Sequence, residues 1–185
     1  MFFIRTNDQV KIAVYDLNPC GSETILLIHG WPLSHQIFEY QESLLTANGF
    51  RVVSMDLRGF GASDAPACGY GYDRMADDIY TVVRALNLRC FTLAGFSMGG
   101  VIASYLAVVC PVKRLLLLAP AFSYMNVDII TGVLTKSASS LMGNEKKEEI
   151  QLPRAFYGAF TELVKNLKKY IGFVECPVFI IHGNA

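Results

Sequence analysis

Short, uninterrupted apolar runs separated by longer amphipathic stretches constrain this chain more than any other feature of its sequence. TILLIHG starts at Thr24, FRVVSMD at Phe50, FTLAGF at Phe91, VKRLLLLAP at Val112 and CPVFIIHG at Cys176. Each is of strand length, and TILLIHG is continuously apolar rather than alternating, which is the pattern of a strand covered on both faces. Between them, residues 34 to 48 fit a helix closed by Gly49, with Ser34 as its N-cap. Residues 73 to 88 place Met75, Ile79, Val82, Val83 and Leu86 at helical spacing, with acids early and Arg84 late. Met98 to Val109 reads as a third helix. Near the start, residues 2 to 5 and 11 to 16 flank a polar Asn-Asp-Gln and form a hairpin pattern. Strand alternating with helix predicts an α/β fold, with a mainly parallel sheet and helices on both of its faces.

The chain has 185 residues, which suits a single domain with a sizeable core. Its expected core is 1–120 plus 176–185. Residues 121–175, where the strand–helix rhythm loosens, read as a cap-like insertion over the sheet. Apolar residues make up 52% of the chain and charged ones 17%, yet no apolar run is long enough to span a bilayer. Sixteen basic and sixteen acidic residues cancel without a basic cluster, so no nucleic-acid partner is expected. Arg5 and Asp8 interrupt the N-terminal stretch too early for a secretory core. Five scattered cysteines without a CxxC pair read as reduced thiols of a cytoplasmic protein. The three histidines have no metal-ligand spacing, and neither a metal nor another cofactor is expected.

AGFSMGG, residues 94–100, carries the chemistry. Gly95, Ser97 and Gly99 obey G-x-S-x-G, with a strand before and a helix after. An abrupt strand-to-helix turn holds a serine in strained backbone geometry, and side chains two positions away would clash with it. Such a serine projects from the carboxyl edge of the sheet, where open α/β sheets form their sites. The helix start supplies unpaired N–H groups suited to developing negative charge. HGWP, residues 29–32, ends an earlier strand and completes the pattern. Acyl transfer needs two donors for its oxyanion, and the N–H groups of Trp31 and Met98 are placed to provide them. Pro32 favours extended geometry at Trp31 and would help to fix that N–H.

LLIHGWPLS, VVSMDLRGFGASDAP, YGYDRMADDIYTVVRALNL and FTLAGFSMGG, in this order, resemble an α/β-hydrolase. Within that superfamily they are similar to the bacterial non-haem chloroperoxidase and aryl-esterase branch. The resemblance covers nearly everything from Thr24 to Ala121 and resumes at CPVFIIHGNA. It implies a carboxylesterase acting on a small ester or acyl substrate through an acyl-serine intermediate. In some members hydrogen peroxide attacks the acyl group, and the released peracid oxidises halide without metal or haem. Ser97 would be the nucleophile, with Trp31 and Met98 as backbone oxyanion donors. Sister branches that open epoxides or cleave carbon–halogen bonds carry aspartate where Ser97 stands, so the serine argues against both.

Other residues have less to say. Asp56, Arg58 and Asp64 in DLRGFGASD read as a network organising a loop rather than as a site. His29 is expected to hydrogen-bond the loop beneath the site, and His35 to be an ordinary, partly exposed histidine. Trp31, Pro32, Phe122 and Tyr124 are candidates to contact substrate. The insertion aromatics, including Phe156, Tyr157 and Phe160, either line an acyl pocket or simply pack the insertion.

A serine hydrolase also needs a histidine base and an acid that orients it. In this fold they follow the serine, acid first. His182 is the one histidine after Ser97, and the resemblance implies an acid just beyond it and a later histidine as base. Gly183, Asn184 and Ala185 supply neither. The expectation is a C-terminally truncated member of a serine-esterase lineage. The alternative is a natural short form that binds a ligand without catalysis. His182 as a substitute base fits poorly, because the backbone there points another way. An uncovered VFII strand edge would favour self-association.

Overall fold

A computed structural model describes residues 1–120 and 176–181. The expected insertion, with Phe122 and Tyr124, lies outside the described residues, and so does His182. The elements in chain order are strands β1 (Phe2–Arg5), β2 (Lys11–Leu17) and β3 (Thr24–Ile28), a 3₁₀ turn (His35–Phe38), helix α1 (Glu39–Ala47) and strand β4 (Arg51–Met55). They continue with helix α2 (Tyr72–Ala85), strand β5 (Thr92–Phe96), helix α3 (Met98–Val109) and strands β6 (Arg114–Leu118) and β7 (Val178–Ile181).

The strands form one sheet in the order β1-β2-β4-β3-β5-β6-β7. β4, β3, β5, β6 and β7 pair in parallel, and β2 pairs antiparallel with both β1 and β4. β2 therefore runs against all the others. Period-two alternation sends each strand's side chains to two different cores. Leu26, Ile28, Val53, Met55, Leu93, Leu115 and Leu117 face the larger core, to which α2 contributes Met75, Ile79 and Val82 and α3 contributes Val101, Ile102 and Leu106. Leu27, Val52 and Ala94 face the other side, under Phe38 and Leu45. The near-continuous apolar runs of β3 and β5 after their opening threonines are thus explained, because both faces are covered.

α2 is amphipathic as its spacing predicts, with Asp73 in its first turn and Arg84 in its last. α3 is apolar nearly all round, and nine of its twelve residues are buried. The expected helix over 34–48 begins differently. Ser34 caps the 3₁₀ turn, accepting from Gln36 N at 3.4 Å, and the α-helix starts only at Glu39. Gly49 closes it with φ +83°, a left-handed conformation that glycine adopts without cost.

Candidate active site

β3, β4 and β5 run in register, so their carboxyl ends bring residues 29–32, 56–58 and 97–98 to one edge. Ser97 is the single residue between β5 and α3, with φ 51° and ψ −117°. A non-glycine residue there costs on the order of 1–3 kcal/mol, and surrounding structure must impose it. Two hydrogen bonds do so. The Ser97 N–H donates to Leu118 O at the end of β6 (2.9 Å), and Ser97 O accepts from Gly100 N in the first turn of α3 (3.0 Å).

The glycines of the motif are steric requirements. A Cβ on Gly95 would lie 2.6 Å from Gly100 Cα, and one on Gly99 would press into the carbonyl oxygens of Ile28 and His29. Gly30 makes the complementary approach from the other strand end. A Cβ there would stand 2.9 Å from Ser97 Cβ and 3.4 Å from Met98 N. The HGWP turn is therefore packed directly against the serine and the first N–H of its helix.

His29 holds that turn in shape. Leu57 N can only donate and Gly30 O can only accept, so the partners define the tautomer. His29 Nε2 accepts from Leu57 N at 3.0 Å, and Nδ1–H donates to Gly30 O at 2.9 Å. Burial pushes its pKa down to about 4, only partly opposed by the Gly30 bond, so the ring is neutral at pH 7. Gly30 O also accepts from Leu33 N at 2.9 Å, closing the turn around a cis peptide between Trp31 and Pro32. Trp31 and Pro32 are buried, Met98 is buried, and Ser97 is half-buried.

His35 is more than an ordinary partly exposed histidine. Its side chain is 16% exposed, its ring stacks on Tyr15 at 3.5 Å, and Nδ1 lies 2.9 Å from Asp56 Oδ1. Asp56 also accepts from His35 N, Ala62 N and the Tyr15 hydroxyl. Burial alone would raise the Asp56 pKa, but the Ala62 and His35 N–H groups and the imidazole outweigh it and hold the carboxyl low. The loop network expected of Asp56, Arg58 and Asp64 is real but divided. Asp64 caps Lys11 N, while Arg58 turns away to Asp78 (2.5 and 2.6 Å), Asp8 and Gly69 O. Asp78 was legible in one respect: it falls on the apolar stripe of α2, three residues after Met75. Among the described residues no histidine hydrogen-bonds the Ser97 hydroxyl, and no group of three ligating side chains could hold a metal.

The comparisons agree with this architecture. The α/β hydrolase fold family matches residues 23–142, and the chain belongs to that family. It is 46% identical to an AB hydrolase superfamily protein, YisY, of Bacillus subtilis, over 98% of this chain and 80% of that one. A putative non-heme chloroperoxidase of Synechocystis is 40% identical over 56% of this chain and 38% of its own length. Among solved structures, an esterase from Exiguobacterium antarcticum superposes with a TM-score of 0.70 at 30% identity, covering 98% of this chain and 80% of the esterase.

Proposed function

We propose that this protein is a carboxylesterase that works through an acyl-serine intermediate, with Ser97 as the nucleophile. The observation that carries the reading is the strained Ser97 backbone pressed against Gly30 at the carboxyl edge of the sheet. Ser97 Oγ attacks the ester carbonyl and gives up its proton to a base. The N–H groups of Met98 and Trp31 receive the oxyanion, the alcohol leaves with a proton, and water releases the acid. Hydrogen peroxide in place of water would release a peracid, the side activity that the chloroperoxidase resemblance suggests. Trp31 and Pro32 border the acyl position, and Phe122 and Tyr124 are the proposed contributions of the insertion. Neither described histidine is free to act as that base, since His29 has both ring nitrogens committed and His35 is bound to Asp56. A small uncharged ester requires no nucleic acid or membrane partner, and among the described residues no helix is long and apolar enough to cross a membrane. Five unpaired cysteines support a reducing, cytoplasmic setting.

Both described histidines being occupied also favours a second reading, a hydrolase scaffold that binds an acyl ligand without turning it over. Hydrolysis of p-nitrophenyl acetate separates the two. The esterase reading expects turnover that falls by at least about a thousandfold in Ser97→Ala. Saturable binding of the ester, with hydrolysis equal to that of Ser97→Ala, would favour the second.

A further inference from the structure

A cleft of about 720 Å³ opens at the far edge of the sheet from Ser97, where the loops entering β5 and β6 lie side by side. Lys113 N donates to Phe91 O at 2.8 Å and ties those loops together. The floor is apolar, made by Val83 of α2, Leu88 of the loop after it, and Cys110 at the end of α3, all buried. Around this floor stand Arg84, Arg89 and Lys113, and among the described residues no acidic side chain lines the cleft. In a chain with zero net charge, that is a concentrated local excess of one sign.

Of the three cations, only Lys113 is neutralised by an ion pair among the described residues. Lys113 pairs with Glu23 at 2.6 Å, outside the lining. Arg84 lies 6.0 Å over the Tyr80 ring, Arg89 donates to Asn87 Oδ1 at 3.2 Å, and neither has an ion pair among the described residues. Arg84 complements the C-terminus of α2, but Arg89 lies beyond the helix and has no such reason to be there. Like charges around a low-dielectric wall focus the field and attract an anion. Guanidinium groups receive a carboxylate with two parallel hydrogen bonds. The volume is that of a small-molecule site.

We propose that this cleft binds a small organic anion with an apolar body, of the class of short aliphatic carboxylates. The chain of such a ligand would lie over this floor against Pro111 and Val112, the exposed and half-buried apolar residues of the lining, and its carboxylate would sit between Arg84 and Arg89. The site is separate from Ser97 and holds whether or not the protein is an esterase.

Cys90, exposed and part of the same lining, supplies a reporter. Iodoacetate and iodoacetamide alkylate the same thiolate, so the ratio of their rates cancels the thiolate fraction and leaves the local field. Cys68, exposed and outside the lining of the cleft, is the internal reference. Peptide mapping should give a ratio about fivefold higher at Cys90 than at Cys68 at low ionic strength. The Arg84→Gln/Arg89→Gln double variant should bring the two ratios together. Hexanoate should slow alkylation of Cys90 saturably, relative to chloride of equal ionic strength, and leave Cys68 unaffected. Equal ratios at the two cysteines would overturn the proposal. So would a raised ratio at Cys90 that hexanoate does not suppress, because that is steering without a site.

Discussion

A methyl group on Gly99 would press into the carbonyl oxygens of Ile28 and His29, the last residue of β3 and the first of the turn that follows it. Neither neighbour is a flexible side chain that could give way. Gly99→Ala should therefore cost more than about 2 kcal/mol in urea unfolding and push the Ser97 turn away from Gly30. A loss under half that size would mean the two strand ends are less tightly fixed than this contact requires. His29 governs a different property. A base whose pKa falls from 6.5 to about 4 on folding binds fewer protons folded than unfolded. Its contribution to stability therefore rises with pH between those values and is lost on acidification through the same window. The drop is worth about 3 kcal/mol. His29→Gln should flatten the stability curve between pH 7 and pH 4, and equal slopes in the two proteins would remove the buried neutral imidazole from the account. At this scale the sequence was informative about Ser97 and its glycines, because local backbone geometry demands them. It was silent about Asp56 meeting His35, since nothing within a short window announces a partner 21 residues away.

At the scale of elements, the loop after β4 and the middle of α2 are locked by Arg58 and Asp78, both fully buried. Burial alone would disfavour the Arg58 charge, and its hydrogen bonds to Asp78 and Asp8 more than offset this, keeping the guanidinium protonated. Removing one partner strands the other charge away from water. Asp78→Ala should cost about 3 kcal/mol or more, while Arg58→Met combined with Asp78→Leu should restore most of that loss in thermal unfolding. A double variant no better than the single one would show that the pair does more than satisfy its own burial. Strands and helices were legible because their periodicities report directly what covers them: continuous apolar runs for β3 and β5, a single stripe for α2. The start of α1 was not. The backbone N–H of His35 is held by Asp56, and a tight 3₁₀ turn intervenes before the helix begins at Glu39. A long-range acceptor, not local propensity, decides that boundary.

For the molecule as a whole, the sheet ends among the described strands on β7, which pairs only with β6. Phe179, Ile180 and Ile181 are each more than half exposed, and the chain carries no net charge near neutral pH to keep copies apart. We expect concentration-dependent association in sedimentation velocity, weakened by Phe179→Lys. A single monomeric species at every concentration would count against it. The overall α/β architecture was legible from rhythm alone, whereas the cleft at the far edge was not, since its three cations come from two separate loops and a helix. The central claim remains that the strained turn at Ser97 makes a reactive nucleophile, and covalent labelling with a fluorophosphonate followed by peptide mapping tests it most directly. The account predicts one adduct per chain, on Ser97, absent from Ser97→Ala. No adduct, or one that persists in that variant, would contradict it.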